Sequence, residues 1–152
     1  SLVISQPDKG QPKLVLHLIN IGAGHSVPTG SNRRAIYLNV EILDKKGKKL
    51  ATKEWMFASW YGNRTDDKKF LEEDKKRPDA ISAMQADAQG PHEAIICAGE
   101  ERILPWVPEL NPGKYTIKAR LIYDLNRYND RSFIEDQTEI NSATLSIMVK
   151  KG

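Results

Sequence analysis

The stretch Ala35-Ile36-Tyr37-Leu38-Asn39-Val40-Glu41-Ile42-Leu43-Asp44 decides the class of fold. Ile36, Leu38, Val40 and Ile42 occupy every second position with Tyr37, Asn39 and Glu41 between them, the period that sends alternate side chains to opposite faces of a strand. A helix would need its apolar residues three and four apart. Asp44-Lys45-Lys46-Gly47 follows with turn chemistry, and residues 48–57 return as the partner of a hairpin. The same period recurs on both sides. In residues 13–20 it sets Leu14, Leu16 and Leu18 on one side, with His17 opposed to them, on the outer face or at an edge. In residues 114–123 it sets Tyr115, Ile117, Ala119 and Leu121 against Lys114, Lys118 and Arg120. Asn111-Pro112-Gly113 is the turn into that strand, because Pro presets φ and Gly accepts φ > 0. Shorter apolar runs at 93–98, 101–105 and 143–149 complete the set.

About seven short strands with turn residues between them predict an all-β protein, an immunoglobulin-like antiparallel β-sandwich formed as a single domain over residues 1–152. Two long connections interrupt the pattern. Residues 63–89 are charge-dense and end in Ala80-Ile81-Ser82-Ala83-Met84-Gln85-Ala86, where a short helix is expected; residues 124–141 form a long polar connection. Loops of this length are functional or flexible. The mixed charges between Arg64 and Arg77 read as a solvated surface insertion with internal ion pairing.

Composition removes several classes of function. The 152 residues carry 23 Lys plus Arg against 20 Asp plus Glu, a net charge of +3 that is too balanced for a dedicated nucleic-acid binder. No run approaches the 18 or so apolar residues of a membrane span, and no basic-then-apolar leader precedes the first strand-like run. Cys97 is the single cysteine, so an internal disulfide and a C-x-x-C-H haem attachment within this chain are both excluded. Hydrolase chemistry has no motif: Ser26 beside His25 is not a triad, there is no Gly-x-Ser-x-Gly elbow, and the pairs Glu100-Glu101 and Asp66-Asp67 read as surface charge. The domain is expected to be non-catalytic.

The most specific stretch is Asn20-Ile21-Gly22-Ala23-Gly24-His25-Ser26-Val27-Pro28-Thr29-Gly30, which leaves one strand and closes on Arg33-Arg34 before the next. Gly22, Gly24 and Gly30 let backbone approach another surface, and Pro28 restricts Val27 to extended conformations. The loop presents His25 at its apex. It is not a phosphate loop, since the third Gly and a Gly-Lys-Ser/Thr ending are missing.

These residues resemble the N-x-G-A-G-H-x-x-P-T-G segment of β-sandwich domains that accompany multihaem c-type cytochromes. Gly90-Pro91-His92-Glu93-Ala94, Leu104-Pro105-Trp106, Asn111-Pro112-Gly113-Lys114-Tyr115 and the run from Leu121 to Asp130 are similar to the same family. The resemblance implies an accessory domain supporting electron transfer in the periplasm or on the outer cell surface, cut from a longer polypeptide. It implies haem c in the parent protein, carried by a multihaem region of the same polypeptide or by a partner cytochrome. On this reading His25 is the candidate axial ligand, and Asn20, Gly22, Gly24, Pro28, Thr29, Gly30 and Arg33 shape its loop. The plain alternative is a loop histidine bonded to its own turn.

The remaining candidates are weaker. His92, after Gly90-Pro91 and before Glu93, has no second His or Cys at ligand spacing. Cys97 alternates with Ile95 as a small buried hydrophobe. Asp124, Asn126, Asn129 and Asp130 offer hard oxygens for Ca²⁺ but lack the distal bidentate Glu, and Arg127 and Arg131 are ready ion-pair partners for these acids. Trp55, Trp60, Tyr61 and Trp106 offer flat rings for a carbohydrate, although packing between sheets explains Trp55 and Trp106 equally well.

Overall fold

The structure is a computed structural model that describes residues 1–21, 24, 34–58, 96, 98–125 and 137–152. Seven strands follow one another: β1 (Leu2–Ser5), β2 (Leu14–Ile19), β3 (Ala35–Asp44), β4 (Lys49–Ala58), β5 (Glu101–Trp106), β6 (Gly113–Asp124) and β7 (Gln137–Val149). They form two antiparallel sheets, one ordered β1-β2-β5 and the other β4-β3-β6-β7. β4 stays beside β3, whereas in constant-type immunoglobulin domains the fourth strand lies in the other sheet.

Alternation decides what is buried. Leu14, Leu16 and Leu18 of β2 join Ile36, Leu38, Val40 and Ile42 of β3 and Ile117, Ala119 and Leu121 of β6 in one core between the sheets. Trp55 and Trp106, from different sheets, meet edge to face with centroids 6.5 Å apart and planes at 85°. Trp55 is buried in this core and Trp106 packs, partly buried, against it, the packing between sheets that their positions also allowed. Trp60 and Tyr61 lie outside the described residues.

Three elements depart from the pattern in the sequence. β1 has only four residues, too few to show a period. β7 begins at Gln137 rather than 143: residues 137–142 carry a single apolar side chain, Ile140, too few for a period to show, and are held by their ladder to the end of β6. A register shift there leaves Ile140 half exposed. Tyr37, expected on the solvent face of β3, is buried with Ala35, Met56, Ala58 and Ile122, so the outer face of the larger sheet is covered at one end.

Local chemistry fixes the turns. Gly47 takes φ +83° in the β3–β4 hairpin, and the Asp44 carboxylate accepts hydrogen bonds from the Lys46 and Lys48 amides at 2.8 and 2.9 Å. Where the chain crosses from β5 to β6, the Tyr115 hydroxyl donates to the Asn111 carbonyl at 2.6 Å, the tyrosine-corner arrangement of Greek-key sandwiches. Gly10, at φ +90°, forms a parallel bridge with Val149 and accepts the Lys150 amide at 2.8 Å, closing the seam between β1 and β7.

Two stability measurements follow from these contacts. Tyr115→Phe removes one partly buried hydrogen bond and should lower unfolding free energy by about 1 kcal/mol in urea titrations. The Lys48 amide, and to a lesser extent the Lys46 amide, hold the Asp44 carboxyl below its ordinary value. A depressed folded value means that the gain is present above the unfolded pKa of about 4 and is lost as pH falls through the folded one. The stability gap between wild type and Asp44→Asn should therefore be widest near neutrality and close in acid.

Candidate functional site

The topology sorts the connections by length. β2 ends, β3 begins, β4 ends, β5 begins, β6 ends and β7 begins at one pole, as the pairings Ala35↔Ala58, Ala35↔Asp124, Asp124↔Gln137 and Ile19↔Glu101 require. All three long connections are therefore anchored there, and the turns at the opposite pole are short. His25, His92, Asn126 and Asp130 each belong to one of the three. Those four residues, with Gly22, Pro28, Thr29, Gly30, Arg33, Asn129 and Cys97, lie outside the described residues, as does the helix expected at 80–86.

Asn20 holds this pole together. Its amide donates to the Glu100 carbonyl at 3.1 Å and its own carbonyl accepts the Gly99 amide at 2.9 Å. Its buried side-chain Nδ2 donates to the Ile96 carbonyl at 3.0 Å. The first residue of the glycine-rich segment thus ties the end of β2 to the chain entering β5, where Gly99 supplies φ +76°. Gly24 also has a positive φ, +67°, with open space around it. The sequence identified Asn20 as the start of the loop; its tie to residues 96–100 depends on strand pairing and is invisible in spacing.

Asp124 is buried, and its Oδ2 accepts a hydrogen bond from Gln137 Nε2 at 3.2 Å. Among the described residues no three His, Cys, Asp or Glu side chains converge as a metal site. Beside Asn20 a cavity of about 190 Å³ is walled by Leu18, Ile36, Ile96, Leu121 and Ile140. Organic ligand pockets run from about 300 to 1,000 Å³, so this cavity is too small to enclose a macrocycle. Larger hollows of about 410 and 580 Å³ open at the other pole, around Lys45, Lys114 and Tyr115 and away from Asn20 and Asp124. Lysines gather at that pole, Lys45, Lys46, Lys48, Lys49 and Lys114 among them, with Lys49 Nζ 3.0 Å from Glu41 Oε1.

His17 stands apart from both poles, on the outer face of the three-stranded sheet. Its Nδ1 lies 2.7 Å from Glu101 Oε1, and its side chain is 31% exposed. The alternation of β2 puts it outside, as expected; its pairing with Glu101 follows from the Ile19↔Glu101 register.

No family model matches the chain, and no curated protein does. Among solved structures it is similar to a penta-haem cytochrome c552 from Thermochromatium tepidum, with a TM-score of 0.60 and 16% identity. The match covers 96% of this chain and 38% of that one, so the chain spans about two fifths of the length of that cytochrome. At this identity the likeness is one of fold.

The Asn20 contacts carry a direct test. Asn20→Ala strips the buried Ile96 carbonyl of a donor and should cost about 1–3 kcal/mol in chemical denaturation, more than Tyr115→Phe.

Proposed function

We propose that residues 1–152 form an immunoglobulin-like accessory domain of a multihaem c-type cytochrome, acting in the periplasm or on the outer cell surface, and that the domain performs no chemical step itself. One observation carries this reading: nearly the whole chain corresponds in fold to a minor part of a penta-haem cytochrome. The glycine-rich segment with His25 and the anchoring of three long connections at one pole support it. With a single cysteine the chain offers no covalent attachment, so haem is held by the neighbouring region or a partner cytochrome.

Haem iron exchanges one electron, and the domain influences that exchange through its own groups. A neutral imidazole at His25 would offer its lone pair to that iron and so set the ligand field. Asn20 holds the root of the loop, while Gly22, Gly24, Pro28, Thr29, Gly30 and Arg33 shape the remainder. The packed sandwich contributes a dry wall, and lower exposure to water shifts a haem potential. The Ca²⁺ or carbohydrate alternative is less well supported, since Trp55 is buried in the core, Trp106 packs against it and Asp124 is buried against Gln137.

The reading frame around these residues should encode C-x-x-C-H motifs, or lie beside one that does; their absence from both would overturn the proposal. In the haem-loaded parent, His25→Ala should convert one haem from low to high spin and shift its reduction potential. An unchanged spectrum would remove His25 as a ligand and leave the accessory role standing.

A further inference from the structure

The outer face of the β1-β2-β5 sheet breaks a rule that the middle of the larger sheet obeys. An antiparallel sheet with one face on the core turns polar residues to water, and the larger sheet does so in the rows Thr52·Glu41·Lys118 and Glu54·Asn39·Arg120. On the smaller sheet the corresponding rows are Ser5·Val15·Pro105 and Val3·His17·Ile103, and Ile19 stands opposite Glu101. Val107 continues the series just past β5. Val3, Ile103 and Val107 are 49%, 59% and 63% exposed. Contiguous apolar surface of this kind, rimmed by polar groups, marks a contact site.

At the centre of the face is one imidazole. The Glu101 carboxylate lies 2.7 Å from Nδ1, the contact made by a ring that carries its proton on Nδ1 and leaves the lone pair on Nε2. No described residue is bonded to Nε2. A zinc site would need three or four protein donors, and among the described residues no such group exists. A haem iron needs only one donor from this side, because the macrocycle supplies four nitrogens and its broad surface is apolar. Three strands about 4.8 Å apart, with rows repeating every two residues or about 7 Å, give a patch on the scale of such a ring.

We propose that this face docks a c-type haem and that His17 Nε2 is an axial ligand to its iron, displacing water from a coordination position open on that side. The lone pair of Nε2 forms the new bond, the water leaves intact, and no electron is transferred. Val3, Val15, Ile103 and Pro105 cover the macrocycle, and Glu101 is the positioning residue. This deepens the accessory-domain reading and rests on it, but it places the ligand on the sheet face, distinct from the loop of His25.

The probe is microperoxidase, a haem peptide whose iron has one position taken by water. Titrated into the full chain, it should turn low-spin with a Soret shift. His17→Ala should abolish this shift, Glu101→Gln should weaken binding by about 10-fold, and Ile103→Lys should weaken it with His17 intact. His17→Gln, matched to wild type by circular dichroism and thermal melting, separates loss of the ligand from loss of the fold. Absence of a low-spin species with wild type would overturn the proposal. So would a shift that survives His17→Ala but vanishes in His25→Ala, and that result would leave the accessory-domain reading intact.

Discussion

The closure of two apolar faces on each other governs this structure. Leu14, Leu16 and Leu18 are at most 3% exposed, as are Ile36, Leu38, Val40 and Ile42 in the facing sheet. Burying one such side chain is worth about 1.5–3 kcal/mol, so the seven together far outweigh any turn or ion pair in the molecule. A slip of one residue in β2 or β3 would send the whole set to the solvent side. Register is thereby fixed, and with it the position of every group outside the core. His17 meets Glu101 because Leu16 and Leu18 must point inward, and Asn20 reaches residues 96–100 because Ile19 stands opposite Glu101.

The core thus creates two distinct surfaces. At one pole the strand ends gather three long connections, which can vary without disturbing the ladders that anchor them. On the small sheet the same alternation produces a rigid face whose side chains are held by strand geometry. Ligand geometry held by strands is better defined than geometry held by loops. The two histidines therefore differ in kind: His25 belongs to a glycine-rich segment, and His17 to the central strand of a sheet.

Much of the fold was legible because period two survives wherever one face is buried. β2 follows it residue by residue, as do β3 from Leu38 to Ile42 and β6 from Tyr115 to Leu121. It fails where burial gives no contrast. β1 is too short, and residues 137–142 of β7 carry one apolar side chain among six. The burial of Tyr37, Met56 and Ile122 on the far side of the larger sheet adds a second buried face, which alternation alone cannot announce. The candidate sites were legible only as residue types. Asn20 and His25 stand out in a motif, but the Asn20–Ile96 bond spans 76 positions and the His17–Glu101 contact spans 84. Such pairs are created by topology, and spacing along the chain carries no trace of them.

The ends of the described chain also have a mechanical meaning. Ser1 lies at the pole of the long connections, paired with Ile19, whereas Val149 and Lys150 meet Gly10 at the lysine-rich pole. Force applied between the two termini runs along β1 and β7, parallel to the strands. The β1–β2 and β6–β7 ladders are then loaded in shear, with their hydrogen bonds sharing the load instead of opening one at a time. Pulled through its ends, the domain is a stiff strut that keeps whatever adjoins either pole at a set separation.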